Sequence, residues 1–164
     1  MDDTNTLISL EGISKGFQSA TAKIEILNNA SFSIRKGETI AVTGASGIGK
    51  STLLNIIGTL DRPDAGQIMF DHQDLLSLKD DHLARFRNAK IGFIFQFHYL
   101  LQGFTALENA MMPGLIAGEN KKKVEKSALN MLERVGLSQR ISHRAEDLSG
   151  GEQQRVAIAR ALLN

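Results

Sequence analysis

Between residues 7 and 43 the chain reads as a series of strands. Ala30, Phe32 and Ile34 alternate with Ser31 and Ser33, the period of a half-exposed strand. Arg35-Lys36-Gly37-Glu38 then marks a turn, and the apolar run at residues 39–43 reads as a buried strand. Beyond the glycine-rich residues 44–49, Leu53, Leu54, Ile56 and Ile57 recur at helical spacing as far as Gly58, a natural stop. Asp61-Arg62-Pro63-Asp64 punctuates as a turn before a short strand at residues 67–70.

The second half changes period. Residues 79–89 form a charged, helix-compatible stretch, and residues 91–95 read as another buried strand that ends at Gln96. Thr105 and Glu108 have the spacing of a capping box and open a helix. Val124, Ala128, Met131, Leu132 and Val135 make one stripe of a helix over about residues 121–135, closed by Gly136. Lys121-Lys122-Lys123 reads as its solvated start. A last helix begins near Gly150 and is expected to be still running at Asn164. Strands interleaved with helices predict an α/β core, with an antiparallel part supplied by the N-terminal segment.

Composition narrows the function classes. The 164 residues include no Cys, which excludes disulfides, thiolate zinc sites and a cysteine nucleophile. Lys and Arg number 19 against 18 Asp and Glu, a net charge of +1, so there is no broad basic field to hold nucleic acid. No apolar stretch approaches the roughly 20 residues that cross a bilayer, and the acidic start lacks the basic leader of a signal peptide. A soluble protein of a reducing compartment is expected.

Gly44-Ala45-Ser46-Gly47-Ile48-Gly49-Lys50-Ser51 fits the phosphate-loop pattern G-x-x-x-x-G-K-S/T, between an expected strand and an expected helix. Glycines let the backbone curl so that successive N–H groups face phosphate oxygens. The helix that starts near Lys50 adds its positive end. Lys50 is placed to reach β- and γ-phosphates, the Ser51 hydroxyl to coordinate Mg²⁺, and Ser46 and Thr52 to donate further hydrogen bonds. The bland alternative is a glycine turn beside an exposed lysine. A nucleoside triphosphate site is expected.

Leu148-Ser149-Gly150-Gly151-Glu152 is a second helix start, with Ser149 as N-cap, Glu152 three residues on, and two glycines that leave backbone N–H groups unobstructed. On physics alone it is equally a well-capped helix or an anion site. His98 has no second His or carboxylate at ligand spacing, so no metal role is read into it.

The segment from Leu148 through Gln153-Gln154-Arg155-Val156-Ala157-Ile158-Ala159-Arg160-Ala161-Leu162 resembles the signature of ATP-binding cassette (ABC) proteins, and the other family features follow in order. Gln96 matches the Q-loop glutamine, which the resemblance implies reaches Mg²⁺ and the attacking water. Phe17 matches the aromatic that stacks on adenine. Residues 92–101 and Phe104-Thr105-Ala106-Leu107-Glu108-Asn109 resemble the lipoprotein-releasing branch of the family, with MacB-like exporter ATPases next; the likeness runs from residue 7 to 164.

The resemblance implies a P-loop ATPase core with an N-terminal antiparallel part and a helical subdomain, forming one nucleotide-binding domain over residues 1–164. It implies ATP and Mg²⁺ as cofactors, a second copy whose Ser149, Gly150 and Gly151 meet the γ-phosphate, integral membrane permease subunits, no nucleic acid, and a peripheral place on the cytoplasmic face of a bacterial inner membrane. The family's strand ending in Asp-Glu and its switch histidine follow the signature helix. The 164 residues therefore read as truncated after that helix, with residues 39–43 left at an exposed edge and hydrolysis negligible. Asp71, the nearest internal stand-in for that acid, reads as a turn residue. Two other readings stand beside this one. A DNA-repair or chromosome-associated cassette is disfavoured by the lack of heptads or Cys between Thr52 and Leu148, and a nucleotide-binding regulator without turnover remains.

Overall fold

A computed structural model describes residues 5–18 and 22–163, apart from the side chain of Lys23. The first four residues, residues 19–21 within the expected strand region, and Asn164 lie outside the described residues. The chain forms two compact units that divide between Leu83 and Ala84.

The first unit is built on an antiparallel sheet. Strands β1 (Thr6–Gln18), β2 (Lys23–Arg35), β3 (Ala65–Phe70) and β4 (Gln73–Asp74) lie in the order β2-β1-β3-β4. Leu10 and Ile13 of the central strand are both fully buried although they stand three apart, which strict alternation forbids. Register shifts between Leu10 and Ile13 against β2, and between Glu11 and Ser14 against β3, supply the extra step. Leu10 then pairs with Phe32 on one side and Ile68 on the other. The expected turn forms at residues 35–38, where the Glu38 carboxylate accepts from the Arg35 N–H at 2.8 Å. Helix α1 (Lys50–Ile57) buries Ile56 completely and ends at Gly58.

The second unit is helical. Helix α2 (Asp80–Lys90) leads into it from the first unit, followed by α3 (Ala106–Ile116), α4 (Lys121–Arg134), a short 3-10 turn (Ala145–Asp147) and α5 (Gly150–Ala161). Asn120 caps α4 through Lys122 N–H and Lys123 N–H, and of the predicted stripe Val124, Ala128 and Leu132 are buried, with Met131 and Val135 packed against them. Ala106, Ala110 and Met111 of α3 and Val156, Ala157 and Ala159 of α5 complete this core. Alanine at five of these positions lets helices approach closely.

Three expectations are corrected. Residues 39–43 and 91–95 form neither helix nor strand, and Ile40 and Ile94 are 44% and 53% exposed. A buried strand needs a neighbour to satisfy its N–H and C=O groups, and neither segment pairs with a strand among the described residues. Burial still alternates along the second segment, with Ile91, Phe93 and Phe95 half-buried and Gly92, Ile94 and Gln96 exposed. Finally, the last helix ends at Ala161 with Leu162 as its cap rather than running on, the Leu162 N–H still donating to Ile158 C=O.

Replacing Leu132 by Ala removes a fully buried side chain from the helical core and is expected to lower the unfolding free energy by about 2–5 kcal/mol. Lys126→Ala, on the exposed side of the same helix, should stay within about 0.5 kcal/mol. Urea unfolding followed by circular dichroism measures both.

Candidate functional site

The glycine-rich loop enters α1 through backbone conformations that side chains resist. Gly44, Gly47 and Gly49 have φ of 148°, 81° and 103°, the region where a Cβ is disfavoured. Gly49 is also the N-cap of α1, and a Cβ there would lie 2.5 Å from Ile26 Cγ2. Ile26 is the residue skipped in the β1–β2 register, between the pairs Lys15–Leu27 and Gly16–Glu25. Such a bulge re-aims a side chain, and here it brings Ile26 against the loop.

Helix α1 begins with no side-chain cap and no acidic residue in its first turn. Its leading N–H groups and the positive end of its dipole thus have no acceptor of the chain's own. The Lys50 ammonium folds back over the loop and donates to Gly44 C=O at 2.9 Å and Ala45 C=O at 2.6 Å. Phe17, Ile26, Ser46, Gly47, Gly49, Lys50, Ser51 and Thr52 line one cavity of about 320 Å³. Phe17, at the end of β1 and 46% exposed, therefore shares a wall with the loop. Of the remaining predicted loop residues, Gly44 and Ala45 hold the lysine, and Ile48 is 60% exposed. The donors present are backbone N–H groups, one ammonium and hydroxyls, the set that suits a polyphosphate, and the hard oxygen of Ser51 suits Mg²⁺.

Gln96 lies in the second unit, exposed, on the irregular segment after α2. The last turn of α5 grips this segment at both ends. Gly92 passes so close that a Cβ would sit 2.2 Å from Ala161 C=O oxygen. The half-buried Arg160 guanidinium donates to Tyr99 C=O at 2.8 Å and His98 C=O at 2.6 Å. His98 and Tyr99 carry φ of 51° and 46°, left-handed conformations that favour glycine. Tyr99 also meets Phe95 edge to face at 5.2 Å. Among the described residues no group of three His, Cys, Asp or Glu forms a metal cluster, at His98 or elsewhere. Asn109, fully buried, holds the following loop by accepting from Leu101 N–H at 2.7 Å and donating to Leu101 and Thr105 C=O, each at 3.1 Å.

The start of α5 is exposed at Ser149, Gly150 and Gly151, while Leu148 is buried beneath it. The capping box forms: Ser149 Oγ accepts from Glu152 N–H, and the Glu152 carboxylate accepts from Ser149 N–H at 2.9 Å and Oγ at 2.8 Å. Arg140 Nε donates to the other carboxylate oxygen at 2.7 Å. Arg140 first, and Ser149 after it, pull the Glu152 carboxyl from its ordinary 4.5 down to about 2. The tip is accessible, but its own carboxylate occupies the cap.

Sequence reasoning placed the loop and both capping boxes, and missed Ile26, Arg140, Asn109 and Arg160. The register skip at Ile26 and the pairings of Arg140 and Arg160 arise from the fold; only the polar Asn109 on an apolar helix face offered a local signal.

Residues 27–164 match the ABC transporter family. The chain belongs to it. Its relatives include the lipoprotein-releasing system ATP-binding protein LolD of Geobacter metallireducens, 51% identical over 159 residues, or 97% of this chain and 71% of that protein. LolD of Bdellovibrio bacteriovorus is 52% identical, covering 92% of this chain and 69% of that protein. Among solved structures, the dimeric bacterial ABC transporter cassette MJ0796 superposes with a TM-score of 0.90 at 40% identity, covering 96% of this chain and 70% of that one. The antiparallel sheet and helical unit of this cassette are thus those of the ABC ATPase fold.

The cap at Glu152 has a pH signature. Because its carboxyl pKa is lowered in the folded chain, the stabilisation is complete above its ordinary 4.5 and lost as pH falls through about 2. The stability difference between the natural chain and Glu152→Gln should therefore shrink steadily from about pH 5 to about pH 2. Urea midpoints measured across that range show it; a constant difference means that the carboxylate does not hold the cap.

Proposed function

We propose that this chain is the ATP-binding subunit of a membrane transporter that releases lipoproteins from the inner membrane toward the outer membrane. The observation that carries the reading is the cavity shared by Phe17 and the glycine loop, in a chain 51% identical to a lipoprotein-releasing ATP-binding protein.

In this reading the loop N–H groups and the start of α1 bind the phosphates, and Phe17 stacks on adenine. Lys50 exchanges its two carbonyl acceptors for β- and γ-phosphate oxygens, a stronger charge-assisted pairing. Ser51 would ligate Mg²⁺, which would neutralise charge on the phosphates, and Gln96 keeps the Q-loop role that the family resemblance implies. Ser149, Gly150 and Gly151, with Leu148 buried beneath them and Glu152 holding the cap, face the nucleotide of a second copy, in keeping with the MJ0796 cassette, solved as a dimer and, in a post-hydrolysis state, with ADP and Pi. ATP that bridges two copies favours the closed pair by its differential contacts alone.

Exposed Phe97, Tyr99 and Ile116, all more than 60% accessible in the second unit, suit the permease subunits. No helix among the described residues is long and apolar enough to cross a membrane, which fits a peripheral place on the inner membrane's cytoplasmic face.

For the 164 residues themselves the activity proposed is nucleotide binding with little turnover. Among the described residues, no carboxylate lines the loop cavity. Asp71 sits in a turn with φ 44°, its carboxylate 2.8 Å from the Lys36 ammonium, the turn role expected of it.

Lys50→Ala is expected to weaken Mg-ATP binding by more than tenfold without unfolding the chain, because Lys50 makes the charge-assisted phosphate contact, worth about 1.5–3 kcal/mol. Calorimetric titration measures it, and equal affinity in the two chains contradicts the site. Co-purification with lipoprotein-releasing permease subunits, rather than with a MacB-like exporter, tests the transport system.

A further inference from the structure

Lys15 stands two residues before Phe17 on β1, and residues two apart on a strand share a face. The ammonium lies over the Phe17 ring, 5.5 Å from its centroid, within the range of a cation–π interaction. It is held there from the other side. Lys15 Nζ donates to Asp61 Oδ1 at 2.8 Å and to Arg62 C=O at 2.6 Å, with Asp64 Oδ1 at 3.9 Å. The side chain keeps only 12% of its accessibility. The same turn fixes the end of the strand, since Asp64 accepts from Gly16 N–H at 3.0 Å and its own N–H donates to Ser14 C=O at 2.8 Å. Asp61, Arg62 and Asp64 thus form a socket for the residue that backs the ring.

We propose that Lys15 is a positioning residue for base recognition: anchored by the turn at residues 61–64, it holds the Phe17 ring at the wall of the phosphate-loop cavity for a purine to stack on. The inference rests on the nucleotide site proposed above and adds to it a determinant outside the cavity lining. A phenylalanine at the end of a strand has two side-chain torsions to fix. The cation fixes them by attracting one ring face, while Phe17 remains 46% exposed and in the cavity wall with surface for a planar partner. The cation also draws electron density toward its own face, which favours an electron-rich base on the other. Phosphate binding, which the loop and Lys50 supply, does not involve it.

The test compares Mg-ATP with inorganic tripolyphosphate and Mg²⁺, each titrated calorimetrically into the full chain. The natural chain should bind ATP more tightly than tripolyphosphate. Lys15→Met should weaken ATP about two- to fivefold and leave tripolyphosphate unchanged. Lys15→Arg, which keeps a cation, should restore the ATP preference, and Lys15→Met should have no further effect on ATP in a Phe17→Leu background. Equal loss for both ligands, or an undiminished effect without the ring, overturns the proposal. Should Lys15→Met fail to fold, Asp61→Ala removes the 2.8 Å tether instead. Selective loss of ATP there supports the inference, and unchanged ATP affinity overturns it. A natural chain that binds neither ligand overturns the nucleotide site itself, and this inference with it.

Discussion

A helix that starts without a partner for its own N–H groups is the constraint on which the site depends. Helix α1 opens at Gly49 with neither a side-chain cap nor an acid in its first turn. The three loop glycines with positive φ bring the backbone into that start, and Ile26 closes off the space that any larger residue at Gly49 would need. Three other helices are capped by side chains of the chain itself: Thr105 for α3, Asn120 for α4, Ser149 for α5. The helix that follows the phosphate-loop pattern has no such cap. Positive charge concentrated there by the dipole and by Lys50 costs stability unless an anion offsets it.

The two helix tips that the sequence offers as candidate anion sites differ physically. At α5 the Glu152 carboxylate, kept ionised by Arg140, already accepts from Ser149. An incoming phosphate meets a tip whose charge is partly neutralised, so this tip by itself is the poorer anion host. In the proposed pair of copies it gains affinity from a nucleotide already held at the first tip, which is the arithmetic of effective concentration. In that proposal the strong site binds first and the weak one closes on it.

Local features were legible in the sequence because their physics is local. The capping boxes of Thr105 with Glu108 and Ser149 with Glu152, the stop at Gly58 and the stripe through Leu132 each follow from residues within one or two turns. Phe17 was legible only through family resemblance, since a strand aromatic at that place is otherwise ordinary core. Residues 39–43 and 91–95, expected as buried strands, form neither helix nor strand. An apolar run states a preference for burial, but pairing depends on a neighbour that no local pattern specifies. The Arg160 clamp joins residues more than sixty positions apart, and the Lys15 socket joins residues separated by 46 and 47 positions; no window along the chain contains either. The pair His98–Tyr99, both in left-handed backbone, is one such case, since the half-buried Arg160 guanidinium donates to both of their C=O groups from a distant helix.

Amide hydrogen exchange with and without Mg-ATP addresses the uncapped helix start directly. Exchange at residues 46–52 should slow markedly on adding the nucleotide, as N–H groups without an acceptor of their own gain phosphate oxygens, while the interior of α4 stays unchanged. Equal exchange at the loop in both conditions, with the helical core intact, contradicts the account.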